Sequence, residues 1–111
     1  MRIIKKSRVI FINDKIEKEF NELKDNDETK RWIRKAIEDL KQNAFCGIPM
    51  PKRLIPKEYA LKYHVNNLWK YDLPNAWRLI YTIAKDEVKI MAIILEWFDH
   101  KDYEKRFGYI S

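Results

Sequence analysis

Four side chains in the second half of the chain have the types and spacing that acid–base and anion chemistry requires: Lys70, Arg78, His100 and Tyr103. Arg78 stands inside an apolar run, Ala76–Ile83, on the face it shares with Ile80 and Thr82. A guanidinium in that setting either pairs with a carboxylate or projects from an open sheet face towards an anion such as phosphate. His100 and Tyr103 lie three residues apart just beyond the last apolar run, amid Asp99, Lys101 and Asp102. Histidine titrates near neutrality and is the usual general acid or base, although a histidine so placed is more often an exposed loop residue. Lys70 belongs to the run before Arg78, opposite in parity to Trp69 and Tyr71. Pairing of those two runs would put both cations on one sheet face.

Further cations surround the four. Lys52, Arg53, Lys57 and Lys62 precede them, and Lys101 and Arg106 follow. Combined with Trp69, Tyr71, Tyr103 and Tyr109, they make the basic and aromatic mixture that holds single-stranded RNA by backbone charge and base stacking. The competing role for Trp69 and Tyr71 is core packing. His64 has only basic residues for company. Two distant histidines and a single Cys46 make no metal-ligand pattern, and neither a glycine-rich phosphate loop nor a Ser-His-Asp set is present. No metal and no cofactor are expected. Cys46 is expected to be a small apolar filler near a helix end.

The elements that must position these residues can be read in order. Arg8–Ile12 is β-branched and aromatic, a first strand. Asn13 or Asp14 caps a helix with Ile16, Phe20 and Leu23 on one stripe, and Glu17 stands where a capping box needs it. Lys24–Asn26 interrupts that pattern. Asp27 caps a second helix, Glu28–Phe45, whose broad apolar face holds Trp32, Ile33, Ala36, Ile37, Leu40 and Ala44. The proline-rich stretch Gly47–Pro56 is a fixed, non-helical connection. Lys57–His64 has the makings of one or two helical turns behind Pro56. Three strands follow: Leu68–Leu73, Ala76–Ile83 and Val88–Phe98. The last is apolar on both faces apart from Lys89 and Glu96, as a central strand requires. The expected fold is α+β: an N-terminal strand, an αα-hairpin and an antiparallel three-strand meander, with the helices on one sheet face.

The totals agree with one domain spanning 1–111. With 111 residues, 46% of them apolar and only two glycines, the chain suits a single core and not disorder. One cysteine excludes an intrachain disulfide, no apolar run approaches membrane-spanning length and no signal peptide opens the chain, so a cytoplasmic protein is expected. The net charge of +6 is unevenly placed. The first eight residues hold four cations and no acid, and residues 49–85 hold seven cations against two acids. Charge so placed suits a polyanionic partner as well as a solvated surface.

The element order resembles the RelE/ParE toxin superfamily of prokaryotic toxin–antitoxin systems. So do LWKYDLPNAWRLIYTI (Leu68–Ile83), KIMAIILEWF (Lys89–Phe98) and DHKDYEKRFGY (Asp99–Tyr109). The likeness covers nearly the whole chain and is strongest from Leu54 to Tyr109. It implies a metal-independent endoribonuclease that cuts mRNA, commonly on the translating ribosome, through the RNA's own 2′-hydroxyl. An antitoxin protein would neutralise it, often in a heterotetramer, and no membrane is involved. Carried over by position, Arg78 would contact the scissile phosphate, and His100 and Tyr103 would move protons or stack. Lys70, Lys52 and Arg53 would orient the RNA, with Lys57, Lys62, Lys101 and Arg106 adding backbone contacts. The base stays open among a lysine of lowered pKa, Glu58 and Tyr103. The chain departs from the pattern in the acids around His100, Asp99, Asp102 and Glu104, which favour the charged imidazole. ParE-like members share the fold but inhibit DNA gyrase, and that is the alternative function. A non-catalytic RNA-binding protein is the third.

Overall fold

Five extended segments form one sheet: β1 (Arg8–Phe11), β2 (Ile48–Pro49), β3 (Trp69–Asp72), β4 (Arg78–Lys85) and β5 (Ile90–Phe98). The computed structural model describes residues 6–86 and 89–108. The strand order is β1-β5-β4-β3-β2, with β1 parallel to β5 and every other pair antiparallel. Four α-helices complete the described domain: α1 (Asp14–Glu22), α2 (Glu28–Gln42), α3 (Lys57–Tyr63) and α4 (His100–Phe107). The chain is thus an α+β domain with a mixed sheet.

The helices begin where the sequence offers side-chain acceptors. The Asn13 carboxamide accepts from the Ile16 N–H, so Asn13 caps α1 and Asp14 is its first residue. The Asp27 carboxylate accepts from the Thr29 N–H at the start of α2. Between them, buried Lys30 folds back and donates to the Leu23 carbonyl at 2.8 Å. A cation there satisfies an orphan carbonyl and opposes the negative end of the α1 dipole. α2 stops at Gln42, earlier than its apolar pattern suggests. Asn43 redirects its side chain to the Phe45 N–H and opens a short 3-10 turn, Ala44–Cys46.

Both sheet faces are covered. Phe20, Ile33, Ala36 and Leu40 of α1 and α2 pack on Leu79, Tyr81, Ala92 and Ile94. On the opposite face, Tyr59 of α3 and Tyr103 and Phe107 of α4 pack on Ile80, Leu95 and Phe98. This corrects the expectation that the helices share one face. No element is expected after β5 from the apolar pattern, yet the segment is a helix. Its start signal is Asp99, whose carboxylate accepts from the Asp102 N–H at 2.9 Å. Tyr103 and Phe107 at i, i+4 give α4 a second apolar stripe.

The meander has the expected strands with shifted ends. β4 is the middle strand and β5 lies between it and β1, so both are interior. A bulge interrupts their ladder, where Ile80 pairs Glu96 and Tyr81 pairs Ile94, leaving Leu95 as the extra residue. As a result Leu95 and Glu96 both serve the α3/α4 face. The proline-rich connection contains what was not foreseen, the edge strand β2 and a 3-10 turn at Lys52–Leu54. Gly47 at its entrance is required. A Cβ there would stand 2.6 Å from the Lys70 carbonyl oxygen, which backbone cannot vacate. Cys46 is exposed and so does not fill a core.

Candidate functional site

The register of β3 and β4 builds the site. Trp69, Tyr71, Leu79 and Tyr81 face α1 and α2, so Lys70, Asp72 and Arg78 face α4. Trp69 and Tyr71 are therefore packing residues, half-buried in the α1/α2 core. The Tyr71 hydroxyl bonds the Asp39 carboxylate, and burial raises its pKa. Neither ring is presented to a base on the face of the cations.

Three of the four proposed catalytic residues do come together. The Lys70 ammonium lies 5.4 Å from the Tyr103 ring centre and the Arg78 guanidinium carbon 5.1 Å from it. Two cations on one ring gain from its quadrupole but repel each other, so the place attracts an anion. Asp72 occupies that role. It stands directly opposite Arg78 in the ladder, and its Oδ1 is 3.0 Å from Arg78 Nε. The contact is an ion pair but not a hydrogen bond: buried Nε has no partner in line with its N–H. A second guanidinium nitrogen donates to the Trp77 carbonyl at 3.3 Å. Of the two alternatives for Arg78, the described structure displays carboxylate pairing.

Tyr103 is 3% exposed. Its ring is enclosed by Phe98 and Phe107 as well as the two cations, so it cannot stack on a base as the sequence reading proposed. Burial raises its pKa, Arg78 opposes the shift and Asp72 adds to it. Its hydroxyl is thus held in the neutral form, a poor base at neutral pH. His100 is at the exposed first turn of α4 and its Nε2 meets the Glu104 carboxylate one turn on. Asp99 is engaged in the cap, which leaves Glu104 as the acid next to the imidazole. His100 and Tyr103, at i and i+3, rise from the same side of α4.

The remaining cations divide. Lys52, Arg53, Lys57, Lys62 and Lys101 are exposed, and Lys62 lies over the Tyr63 ring at 5.2 Å. Arg106 is not available in the same way. It donates to both Glu96 oxygens at 3.0 and 3.1 Å and faces Glu58 at 3.7 Å. Burial works against the Arg106 charge, but Glu96 and Glu58 outweigh it and raise its pKa. Glu96 also accepts from the Tyr59 hydroxyl, whose pKa is pushed far up by burial and by that carboxylate. Glu58, one candidate base, thereby belongs to the network that fastens α3 to α4. Tyr109 and the arm cations Arg2 and Lys5 lie outside the described residues.

Sequence reasoning missed Asp72 and the Glu96 network. Both left a signal: Asp72 has the parity of Lys70, and Glu96 is a carboxylate in an otherwise apolar strand. His64 takes a left-handed conformation at the end of α3 (φ 58°). It lines a separate cleft of about 530 Å³ with Asn67, Thr82 and Lys85. Among the described residues no cluster of His, Cys, Asp and Glu could hold a metal ion, and no helix is long and apolar enough to cross a membrane. Comparison with family models, with curated proteins and with solved structures finds no match for this chain.

Proposed function

We propose that this chain is an endoribonuclease of RelE type, a toxin that cuts mRNA through the 2′-hydroxyl and is neutralised by an antitoxin. The observation that carries the proposal is the meeting of Lys70 and Arg78 on the Tyr103 ring, with His100 one turn of α4 away. Phosphodiester cleavage develops charge on the phosphorus oxygens, and two cations fixed on a buried ring are pre-organised to meet it. His100 is exposed enough to reach a leaving 5′-oxygen as general acid. The exposed Lys52, Arg53, Lys57 and Lys101 give the flanking RNA backbone a counter-charge. For the antitoxin, a largely apolar cleft of about 530 Å³ runs between α2 and β3, lined by Arg31, Trp32, Lys35, Tyr71 and Leu73. An amphipathic segment fits such a groove.

A second reading, an RNA-binding protein without cleavage, is favoured by one observation: Arg78 and His100 are each engaged by a carboxylate. Induced expression in a bacterial host, with 5′ ends of cellular mRNA mapped, separates the two. Growth arrest with new mRNA ends is expected from the wild type. Arg78→Ala and His100→Ala should each reduce cleavage by about a hundredfold or more, the usual scale for an electrostatic or acid–base group. Arrest without new ends would instead indicate a gyrase inhibitor, and folded protein without arrest the non-catalytic role.

A further inference from the structure

We propose that Asp72 is a resident anion on the Lys70/Arg78 site, holding the place that a phosphate group takes when substrate enters. Only the identity of the incoming anion rests on the nuclease proposal; the plug itself rests on geometry. Asp72 and Arg78 are cross-strand partners, so the ladder fixes a carboxylate against the guanidinium. The pair is unequal. The Asp72 side chain is 52% exposed and that of Arg78 only 16%. Swinging Asp72 into water therefore uncovers little, while the largely covered guanidinium keeps its position. Arg78 Nε remains without a hydrogen bond although the carboxylate is 3.0 Å away. Its N–H lacks an acceptor in line with it, which Asp72 does not supply. A phosphate has several oxygens and can satisfy that direction and the Lys70 ammonium together, which a strand-bound carboxylate does not.

A resident carboxylate has two effects. It keeps two neighbouring cations compatible with a packed, largely apolar face, and it sets a threshold that stray anions must exceed. Binding of a phosphodiester is then weakened by the free energy of the displaced pair. The Asp72 carboxylate is half exposed and its attraction is screened by water, so the expected penalty in affinity is about two- to fivefold.

The test uses two probes on the whole chain, inorganic phosphate and a fully 2′-O-methylated single-stranded RNA, which lacks the hydroxyl needed for cleavage. Binding would be followed through the Arg78 Nε–H resonance and by fluorescence titration, for the wild type, Asp72→Asn, Arg78→Ala and the double variant. The proposal expects Asp72→Asn to bind phosphate about threefold more tightly, and the gain to vanish when Arg78 is also replaced. Asn is isosteric at an exposed strand end, and thermal melting confirms that each variant is folded. Unchanged phosphate affinity in folded Asp72→Asn would overturn the proposal. So would a gain that survives in the double variant, since Asp72 would then act only as a general repulsive charge. A phosphate response without an RNA response would keep the plug and remove RNA as its ligand.

Discussion

At the level of single residues, three basic side chains of the α3/α4 face each meet a carboxylate. Arg78 has Asp72, His100 has Glu104, and Arg106 has Glu96. The third pair differs from the others in its carboxylate, because the Glu96 side chain is only 15% exposed while those of Asp72 and Glu104 are about half exposed. A carboxylate that dry needs its partner: removing one member of a buried pair leaves an uncompensated charge. Arg106→Met is therefore expected to destabilise the protein by about 2 kcal/mol, a value reduced from the fully buried case because Arg106 itself is 35% exposed. Glu96→Gln keeps a partner for the Tyr59 hydroxyl and should cost about 1 kcal/mol. Urea melts of the two variants and their combination check this, and the double variant should lose clearly less than the sum. Of these pairs, the sequence shows the members but not the matching. Arg78 announces itself as a cation in an apolar strand, whereas its choice of Asp72 over an open face depends on a register that only the folded ladder sets.

Among the elements, those with local signals were legible and those defined by distant partners were not. α1 and α2 have caps, stripes and ends within their own sequence, and β3, β4 and β5 have the apolar runs and turn residues of a meander. β2 is two residues long and exists because β3 offers it an edge. α4 hides in a charged segment, since only Tyr103 and Phe107 form its stripe and five of its eight residues carry formal charges. Its docking on the second sheet face follows from the bulge at Leu95, which no periodicity reveals. The entrance to β2 gives a test at this scale. Gly47→Ala would drive a methyl into the Lys70 carbonyl, and the Tyr81 hydroxyl that accepts from the Gly47 N–H would have to move too. The expected loss is about 2 kcal/mol, within the range for overpacking, read from thermal melts; at Gly108 the space around a Cβ is open, and Ala is disfavoured there by the backbone instead, since φ is +70°.

For the molecule as a whole, four tyrosines embedded in the two cores set the response to alkali. Burial raises the pKa of Tyr59, Tyr71, Tyr81 and Tyr103. In the unfolded chain these phenols lose their protons near pH 10, while in the folded protein they keep them. The folded state then binds more protons, so stability is undiminished below about pH 10 and falls as pH climbs towards the folded values. Alkaline titration should show the absorbance of these four tyrosinates and the loss of circular dichroism rising together in one cooperative step. Ionisation of all six tyrosines of the chain on an intact fold would show that the buried phenols ionise in place.

The parallel partnership of β1 with β5 has a consequence in the order of synthesis. Nearly eighty residues (12–89) pass between the end of β1 and its own sheet neighbour, with α1, α2 and the rest of the sheet made in the interval. Until β5 arrives, β1 has no ladder and α1 and α2 have only part of the surface they cover, so the first half of the chain cannot complete a core by itself. Closing so long a loop is entropically slow, and it defers cooperative folding to the emergence of the second half. The same event brings α4, and with it the ring that Lys70 and Arg78 share. A nascent chain therefore stays without its cation site until almost all of it has been made, so that the toxin proposed here could not act on the message while most of its own length was still being translated.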